Sequence, residues 1–378
     1  MPDSLVQNPF EPGAPRPKAV DGIYSAEEVQ LANRNSGALL ETLAQDITPA
    51  GTHYLLSHFD VPILEATTHK LEFSGAFSNP FKITLKELQA LPQISVPVTL
   101  ECAGNGRAGV SPRNFSMPWM YEAVGTALWT GTPLAPLIER ASPLPGVEDF
   151  AFIGADKGFD KGVPHHFGRS LTPEEFKRLD VLLVWGMNGE PLLPQHGAPL
   201  RMIVPGWYGM ASVKWLTRIE ALTRRYEGFQ QVETYRYRTT SDEAGTPVTG
   251  IRVKSLMRPP GVPDWVTRKR WVAAGQVELS GRAWSGDGVE IASVEVLLDG
   301  EWREAELLGR QGKYAWTAWR INWNATPGRH ILACRATDAN GSAQPLEAPF
   351  DRAGFGNNSV HRLEVHVSAE PIEFKDGD

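Results

Sequence analysis

The feature that most constrains the fold of this chain is a change of residue pattern near residues 242–247. Before it, strand-like segments alternate with a few capped helices, and after it the helix signals disappear. Strand-like segments then cover residues 276–284, 291–298, 315–321, 330–337 and 359–367. Short strands at this spacing, with Asp-Gly and Asn-Gly turns between them, are typical of a β-sandwich of immunoglobulin type. We therefore predict an all-β immunoglobulin-like domain over residues 246–368.

Residues 46–245 are predicted to form an α+β domain. Buried strands are indicated by β-branched and aliphatic runs at residues 94–100, 181–185 and 200–204. Asn188 and Gly189 predict a tight hairpin turn. Thr84 and Thr172 are each followed three residues later by Glu, which is the capping-box pattern of a helix start. No regular strand–helix–strand repeat is present, which favours α+β over a parallel α/β fold.

The two ends of the chain are predicted to lie outside these domains. Prolines recur between residues 8 and 17, and proline fixes φ and lacks an amide donor, so this arm should be extended. Ser25 and Glu28 then form the capping-box pattern of a short helix, so residues 1–45 are interpreted as an arm and a helix. Residues 369–378 are interpreted as a tail.

Composition and charge restrict the function classes. The chain has 378 residues and a net charge of −7, which argues against a general nucleic-acid-binding protein because phosphate contacts require a basic face. No apolar run approaches the roughly 20 residues of a membrane-spanning helix. The first residues show neither a basic nor an apolar leader segment, so we expect a cytoplasmic protein, or a periplasmic one if an export signal has been removed.

The main candidate for a functional site is the loop that follows the strand at residues 94–100. It places Cys102 before a Gly-Asn-Gly turn, and Arg107 adds a positive charge directly after that turn. Glycine permits close approach of a ligand, and a thiolate is a soft metal ligand. A buried thiol in a tight turn is the other interpretation of these residues. Cys334, the second of two cysteines, lies in a strand pattern and is interpreted as a core thiol; a disulfide is not expected.

Several segments, in the same order along the chain, resemble the sulfite oxidase family of molybdenum enzymes. They are residues 102–105 with Arg107, residues 187–192 with 196–201, and residues 204–209 with 212–216. The second domain is similar to the dimerisation domain of that family, notably at residues 281–286 and 316–320. The resemblance extends over most of residues 45–368. It implies a homodimer with one single-pterin molybdenum cofactor per chain, no haem, and Cys102 as the protein ligand of the metal.

The resemblance also implies which residues hold the cofactor: His58, Cys102, Asp156, His196, Arg201, Ser212 and Lys214. Arg201 interrupts an apolar strand, which is costly unless its charge meets a buried anion, although a salt bridge to a carboxylate would also explain it. Ser212 and Lys214 alternate with an apolar residue and can therefore face the same side. Asp160 is an alternative to Asp156, because the loop after Asp156 diverges from the family.

The substrate-facing positions resemble the family less closely. The resemblance implies that Arg107, Tyr226 and Arg320 contact the substrate; an exposed strand arginine is the alternative for Arg320. Leu56 and Gly106 stand where the family carries arginines. His165 and His166 are interpreted either as replacement groups for an anion or proton, or as a solvated loop.

The function implied is oxidation of sulfite, or a related sulfur oxyanion, by oxygen-atom transfer at a Cys-ligated molybdenum centre. Electrons would pass to a separate acceptor, a cytochrome or a small oxidant, because no haem-binding module or Cys-x-x-Cys-His motif is present. Loss of the arginine at position 56 leaves open a less charged substrate, such as a sulfoxide or a sulfur-carrier adduct. A non-catalytic dimeric binding protein of the same fold is the alternative from another class.

Overall fold

The computed structural model describes residues 24–112 and 114–375. The predicted extended arm at residues 8–17 lies outside the described residues, as do residues 376–378 of the predicted tail. Within the described part, none of the helices has the length and apolar character needed to cross a membrane.

The α-helices are short. They are α1 (Ala26–Arg34), α2 (Leu85–Gln89), α3 (Ala135–Ala141) and α4 (Pro173–Arg178). The three predicted capping boxes are confirmed: Ser25, Thr84 and Thr172 each accept from the backbone N–H of the glutamate three residues later. Single helical turns occur at Leu40–Ala44, Ala50–Thr52, Arg107–Gly109, Pro194–His196, Gly209–Ala211, Gln230–Thr234 and Gly286–Gly288. The described residues of the first part therefore contain few helices, and these are short.

Two sheets form the framework of the first part of the chain. Its strands are β1 (Lys70–Gly75), β2 (Phe81–Thr84), β3 (Ile94–Glu101), β4 (Val124–Pro133), β5 (Asp149–Asp160), β6 (Val163–Leu171), β7 (Leu182–Met187), β8 (Glu190–Pro191), β9 (Arg201–Ile203) and β10 (Leu216–Leu222). One sheet has the order β2-β1-β10-β5-β6, and the other has the order β3-β4-β7-β8 with β9 beside β7. Asn188 and Gly189 form the predicted turn between β7 and β8, both with positive φ. The strand pair β11 (Arg236–Tyr237) and β12 (Thr246–Pro247) follows.

The second part of the chain consists of two further sheets. Its strands are β13 (Lys254–Met257), β14 (Val262–Pro263), β15 (Arg270–Ala273), β16 (Gly275–Trp284), β17 (Ile291–Leu298), β18 (Glu301–Glu304), β19 (Glu306–Arg310), β20 (Thr317–Ala325), β21 (Gly328–Asp338) and β22 (His361–Ser368). The orders are β13-β16-β20-β19 and β14-β15-β22-β21-β17-β18. The all-β character is as predicted, whereas the immunoglobulin type stays a prediction. Cys334 is fully buried in the core here, and both cysteines are free.

The two parts of the chain share a hydrophobic core. Trp284, Trp316 and Phe355 of the second part belong to the same buried cluster as Phe152 and Trp207 of the first. Large buried aromatic side chains contribute much of the apolar area that stabilises such a core. The carboxyl end of β3, which carries the predicted thiol loop, lies against this shared region.

Candidate active site

Two cavities meet beside the Cys102 thiol. The inner cavity is bordered by residues that include Asp156, His196, Arg201 and Lys214. The outer cavity, of about 620 Å³, is bordered by α1, by Arg107 and by a set of aromatic side chains. Four residues border both cavities: Leu56, His58, Cys102 and Tyr235. Because β3 ends at Glu101, the strand delivers Cys102 directly to the junction.

The Cys102 thiol is buried but lies close to a positive charge. Its residue is only 6% exposed. Burial raises the pKa of the thiol, while the charge of Arg107 and the Gly104 backbone act in the opposite direction. Metal coordination overrides such a shift because the cation deprotonates the sulfur outright. The position therefore suits a metal ligand better than a free nucleophile.

Arg201 is a buried charge whose polar contacts are made by backbone carbonyls. Its Nη1 donates to the carbonyl of His196 (2.9 Å) and its Nη2 to that of Ser212 (3.2 Å). Its Nε has no partner in the described part of the chain, and burial lowers the pKa of the guanidinium to about 10. Among the described residues no carboxylate forms an ion pair with it, so the salt-bridge interpretation does not hold. A buried cation of this kind favours an anionic ligand.

Lys214 adds a second positive group to the inner cavity. Its Nζ donates to the carbonyls of Leu56 (2.8 Å) and Gln195 (3.1 Å) and to Oγ of Ser57 (3.0 Å). Burial, and next the charge of Arg201, lower the pKa of Lys214 to about 7. The Ser212 hydroxyl accepts from the Val204 amide (3.0 Å). An anion bound here would favour the charged form of Lys214.

Histidine and aspartate side chains complete the inner cavity. Burial lowers the pKa of His196 to about 3 and that of His53 to about 4, and their rings meet edge to face at 5.8 Å. Burial raises the pKa of Asp156 to about 6. The sequence alone did not single out His53; its spacing of five residues from His58 was the available signal. Asp160, the alternative to Asp156, borders the outer cavity instead.

Three buried polar atoms of the inner cavity have no hydrogen-bond partner among the residues that the structure describes. They are Asp156 Oδ1, Arg201 Nε and His53 Nε2. Buried polar groups are nearly always hydrogen-bonded, so such a cluster indicates that something else satisfies them. The set contains a carboxylate acceptor, a guanidinium donor and an imidazole, which together match a phosphate and the amide-like edge of a pterin. The residues present therefore fit the cofactor that the sequence implied.

Tyr235 occupies the position at the junction that was predicted for Tyr226. Tyr235 Oη lies 2.6 Å from His58 Nε2, and burial raises the pKa of its phenol. Tyr226 borders neither cavity; it is half-buried, and its backbone N–H donates to Asp149 Oδ2 (2.6 Å). Tyr235 follows the helical turn Gln230–Thr234, and no motif in the sequence marked it.

Arg107 borders the outer cavity, and its guanidinium is held in position by the protein. Its Nε donates to the carbonyl of Ala353 (2.6 Å), and its Nη1 donates to Oγ of Ser116 (2.9 Å) and to the carbonyl of Met117 (3.2 Å). Gly106 has a φ of 95°, a conformation that favours glycine. An arginine at position 106 would therefore be strained in this backbone.

Besides Tyr226, three predicted residues are not brought to the junction: Arg320, His165 and His166. Arg320 is exposed and forms an ion pair with Glu306 (2.8 Å) on the second part of the chain, bordering neither cavity. His165 Nε2 lies 2.9 Å from Nε2 of Gln230, and His166 Nδ1 lies 3.1 Å from the carbonyl of Gly154. The exposed-arginine interpretation of Arg320 therefore describes this structure.

Two family models match the chain in the same order as its two parts. Residues 58–230 match the oxidoreductase molybdopterin binding domain, and residues 247–368 match the Mo-co oxidoreductase dimerisation domain. The sulfite oxidase of Gallus gallus is 32% identical over 330 residues, which cover 79% of this chain and 68% of that protein. The chain belongs to the sulfite oxidase family. It is a molybdopterin oxidoreductase of that type, and the alternative of a non-catalytic binding protein is set aside.

Similarity within this family extends to enzymes with another name. A nitrate reductase of Ulva prolifera is 27% identical over 355 residues, and this chain covers 41% of its length. The crystal structure of the sulfane dehydrogenase SoxCD from Paracoccus pantotrophus matches with a TM-score of 0.75 at 24% identity, covering 96% of both chains. That likeness concerns the fold. Family membership therefore fixes the type of enzyme and leaves the substrate to the local geometry.

Proposed function

We propose that this chain oxidises sulfite or a related sulfur oxyanion at a molybdenum centre ligated by Cys102, and passes electrons to a separate acceptor. The observation that carries the proposal is the position of the Cys102 thiol. It lies between an inner cavity with unsatisfied polar atoms and an outer cavity large enough for a substrate. A soft thiolate at this junction would hold the metal where both cavities end.

The inner cavity would hold the cofactor. When bound, the cofactor supplies the two-electron oxygen-transfer chemistry, and the protein supplies position and charge. Arg201, Lys214 and His196 would bind its phosphate end, since Arg suits bidentate phosphate contact and Lys acts as a point charge. Asp156 would accept hydrogen bonds from pterin N–H groups through the oxygen that has no protein partner.

The residues at the junction would handle the substrate and its protons. Because burial raises the pKa of Tyr235, its phenol stays protonated near neutral pH and can donate a hydrogen bond. His58 lies within hydrogen-bond distance of that hydroxyl and can hold or accept a proton. Arg107 supplies a fixed positive charge at the inner end of the outer cavity. These three groups would bind an oxyanion and stabilise the charge that develops on it.

A metal and pterin analysis with steady-state sulfite kinetics tests this function. Wild-type protein from a host that makes the cofactor is expected to contain about one molybdenum per chain. Cys102→Ser should lower turnover by more than about a hundredfold, because even residues behind a metal ligand are each worth about 10- to 100-fold. Equal molybdenum content and equal turnover in both proteins would contradict the role of Cys102.

A second candidate is a less charged sulfur substrate, such as a sulfoxide or a sulfur-carrier adduct. Leu56 stands at the junction of the cavities and brings no charge there. The outer cavity also carries aromatic side chains: Phe59, Phe115, Phe159 and Phe355. Aromatic rings make favourable contacts with sulfur and exclude water from it. A micromolar KM for sulfite, with no turnover of sulfoxides, would rule this candidate out.

A further inference from the structure

The carboxylate next to Cys102 is held by residues of the second part of the chain. Glu101 is 1% exposed, and its Oε1 accepts from Lys254 Nζ at 2.9 Å. Its Oε2 accepts from Trp284 Nε1, also at 2.9 Å. Lys254 on β13 and Trp284 on β16 are paired across neighbouring strands, so one edge of that sheet presents both donors to the same carboxylate. Asn105 Nδ2 donates to Oε1 as well (3.0 Å).

A second group of bonds joins the same loop to residues 353–357. The amide of Gly356 donates to the carbonyl of Ala103 (2.8 Å), and Asn357 Nδ2 donates to that of Gly106 (2.9 Å). Lys254 Nζ donates in addition to the carbonyls of Asn105 (3.4 Å) and Asn357 (2.8 Å). The loop at residues 101–107 is therefore bonded through Glu101, Ala103, Asn105 and Gly106 to a part of the chain that the family model describes as a dimerisation domain.

We propose that Lys254 and Trp284 are positioning residues for the Cys102 thiol, acting through Glu101. The second part of the chain would thus complete the metal site as well as dimerise. An effect of these residues on the metal rests on the proposed role of Cys102. Their effect on the order of the loop at residues 101–107 does not, and it is expected in the cofactor-free protein too.

The chemistry of the Lys254–Glu101 ion pair favours a positioning role over simple attachment of one part of the chain to the other. Lys254 is 1% exposed, and a buried ion pair often contributes less stability than apolar residues of similar volume would. Such pairs can instead specify one geometry, because a carboxylate with three donors has little freedom to rotate. Glu101 is the residue before Cys102, so fixing its side chain restricts the backbone that orients the thiol.

Two tryptophans provide a matched test. Trp284 and Trp323 are 3% and 1% exposed, both lie in the second part of the chain, and both donate to a carboxylate. The partner of Trp284 is Glu101, whereas the partner of Trp323 is Asp299. Trp284→Phe and Trp323→Phe each remove an indole N–H from a buried site, but only the first removes a bond to the residue beside Cys102.

The readout is the rate at which each cysteine of the cofactor-free protein reacts with iodoacetamide, followed by peptide mass spectrometry. Cys334 is 0% exposed in the core of the second part and reports general opening of that part. Trp284→Phe is expected to increase the Cys102 rate about tenfold, the loss of one hydrogen bond to a charged group, and to leave Cys334 unchanged. Trp323→Phe should leave the Cys102 rate within about twofold of wild type. Equal acceleration of both thiols by Trp284→Phe, or no change at Cys102, would overturn the proposal.

The role of Lys254, the charge partner of Glu101, is tested by restoring the protection of the loop with a second substitution. Lys254→Met leaves the Glu101 charge buried and unpaired, and hydrogen exchange of residues 101–107 should accelerate about tenfold or more. Adding Glu101→Gln removes that charge, and its single carboxamide oxygen can accept from Trp284 or from Asn105 but not from both, so protection should return in part. Failure of this rescue with a folded double variant would contradict positioning through Glu101.

In protein that contains the cofactor, Trp284→Phe and Lys254→Met should shift the electron paramagnetic resonance spectrum of Mo(V). Absence of molybdenum from wild type would contradict the proposed function alone, because the thiol and exchange measurements do not require metal.

Discussion

The inner and outer cavities meet at one cysteine but are built in different ways. The inner cavity contains buried charged and polar groups, and several of their atoms lack a protein partner. The outer cavity combines aromatic side chains with the charged residues Glu27, Arg34 and Asp160 and the buried Arg107, whose guanidinium the protein already bonds. The inner cavity is therefore specified for a particular polar ligand, whereas the outer one has mixed aromatic and charged walls.

This difference teaches where specificity in such a chain is decided. Unsatisfied buried donors and acceptors discriminate strongly between ligands. A ligand that cannot form hydrogen bonds with them leaves their desolvation free energy uncompensated. Apolar walls discriminate more weakly, by about 1–3 kcal/mol per methylene group. The cofactor should thus tolerate little change in the inner cavity, while the substrate range should respond gradually to changes in the outer one.

The largest expected effect concerns cofactor retention. Arg201→Met removes the buried guanidinium that would pair the phosphate, and charge-assisted hydrogen bonds of this kind are worth about a hundredfold in affinity. Molybdenum and pterin content after gel filtration measures the loss. Arg218→Met is the matched control, because that arginine is about half exposed on β10. Full cofactor retention by Arg201→Met would mean that the inner cavity is not the phosphate site.

The next effect separates the two tyrosines. Tyr235→Phe removes the hydroxyl beside His58 and should lower kcat/KM about tenfold, with cofactor content unchanged. Tyr226→Phe should stay within about twofold of wild type, because Tyr226 borders neither cavity. The reverse ranking would restore the sequence-based assignment of Tyr226 and show that the junction rearranges when the cofactor binds.

The sequence could nominate residues of the inner cavity because these residues lie in short motifs. His196, Arg201, Ser212 and Lys214 follow one another within one stretch, and local strand geometry turns them to the same side. The turn at residues 188–189 and the capping boxes are likewise local, so residue type alone predicts them.

The outer cavity was less predictable because it is assembled from distant segments. Phe355 comes from the second part of the chain, and α1 from near the start of the described residues. Which tyrosine reaches the junction depends on the helical turn Gln230–Thr234, and which arginine does so depends on how the domains pack. Tyr226 and Arg320 were both assigned from motifs. A motif does not describe how distant segments pack, and in this structure both residues lie away from the junction.

A smaller effect should follow from restoring charge at the junction. Leu56→Arg places a cation beside Cys102, and it should lower the KM for sulfite about fivefold if an oxyanion is the substrate, since exposed or partly screened charge pairs contribute about 1 kcal/mol. Leu56→Met, which conserves volume without charge, is the control. An increased KM for the physiological substrate in Leu56→Arg would instead favour the less charged substrate.

The smallest expected effect is a pH dependence of the cofactor-free protein. His53 and His196 are buried and neutral, with pKa values lowered from 6.5 to about 4 and about 3. Between pH 6.5 and 4 the unfolded chain binds protons at these histidines and the folded chain does not, so their contribution to stability is lost as the pH falls. Asp156 acts in the opposite direction, because its pKa is raised and the folded chain gains its proton first. Burial also lowers the pKa of His58, at the same cavity, to about 4, so the histidines outweigh the aspartate and the net result is a loss of stability as the pH falls. Urea unfolding across this range measures the loss. His196→Gln should flatten the slope, and a slope unchanged in this variant would place the titrating groups outside the inner cavity.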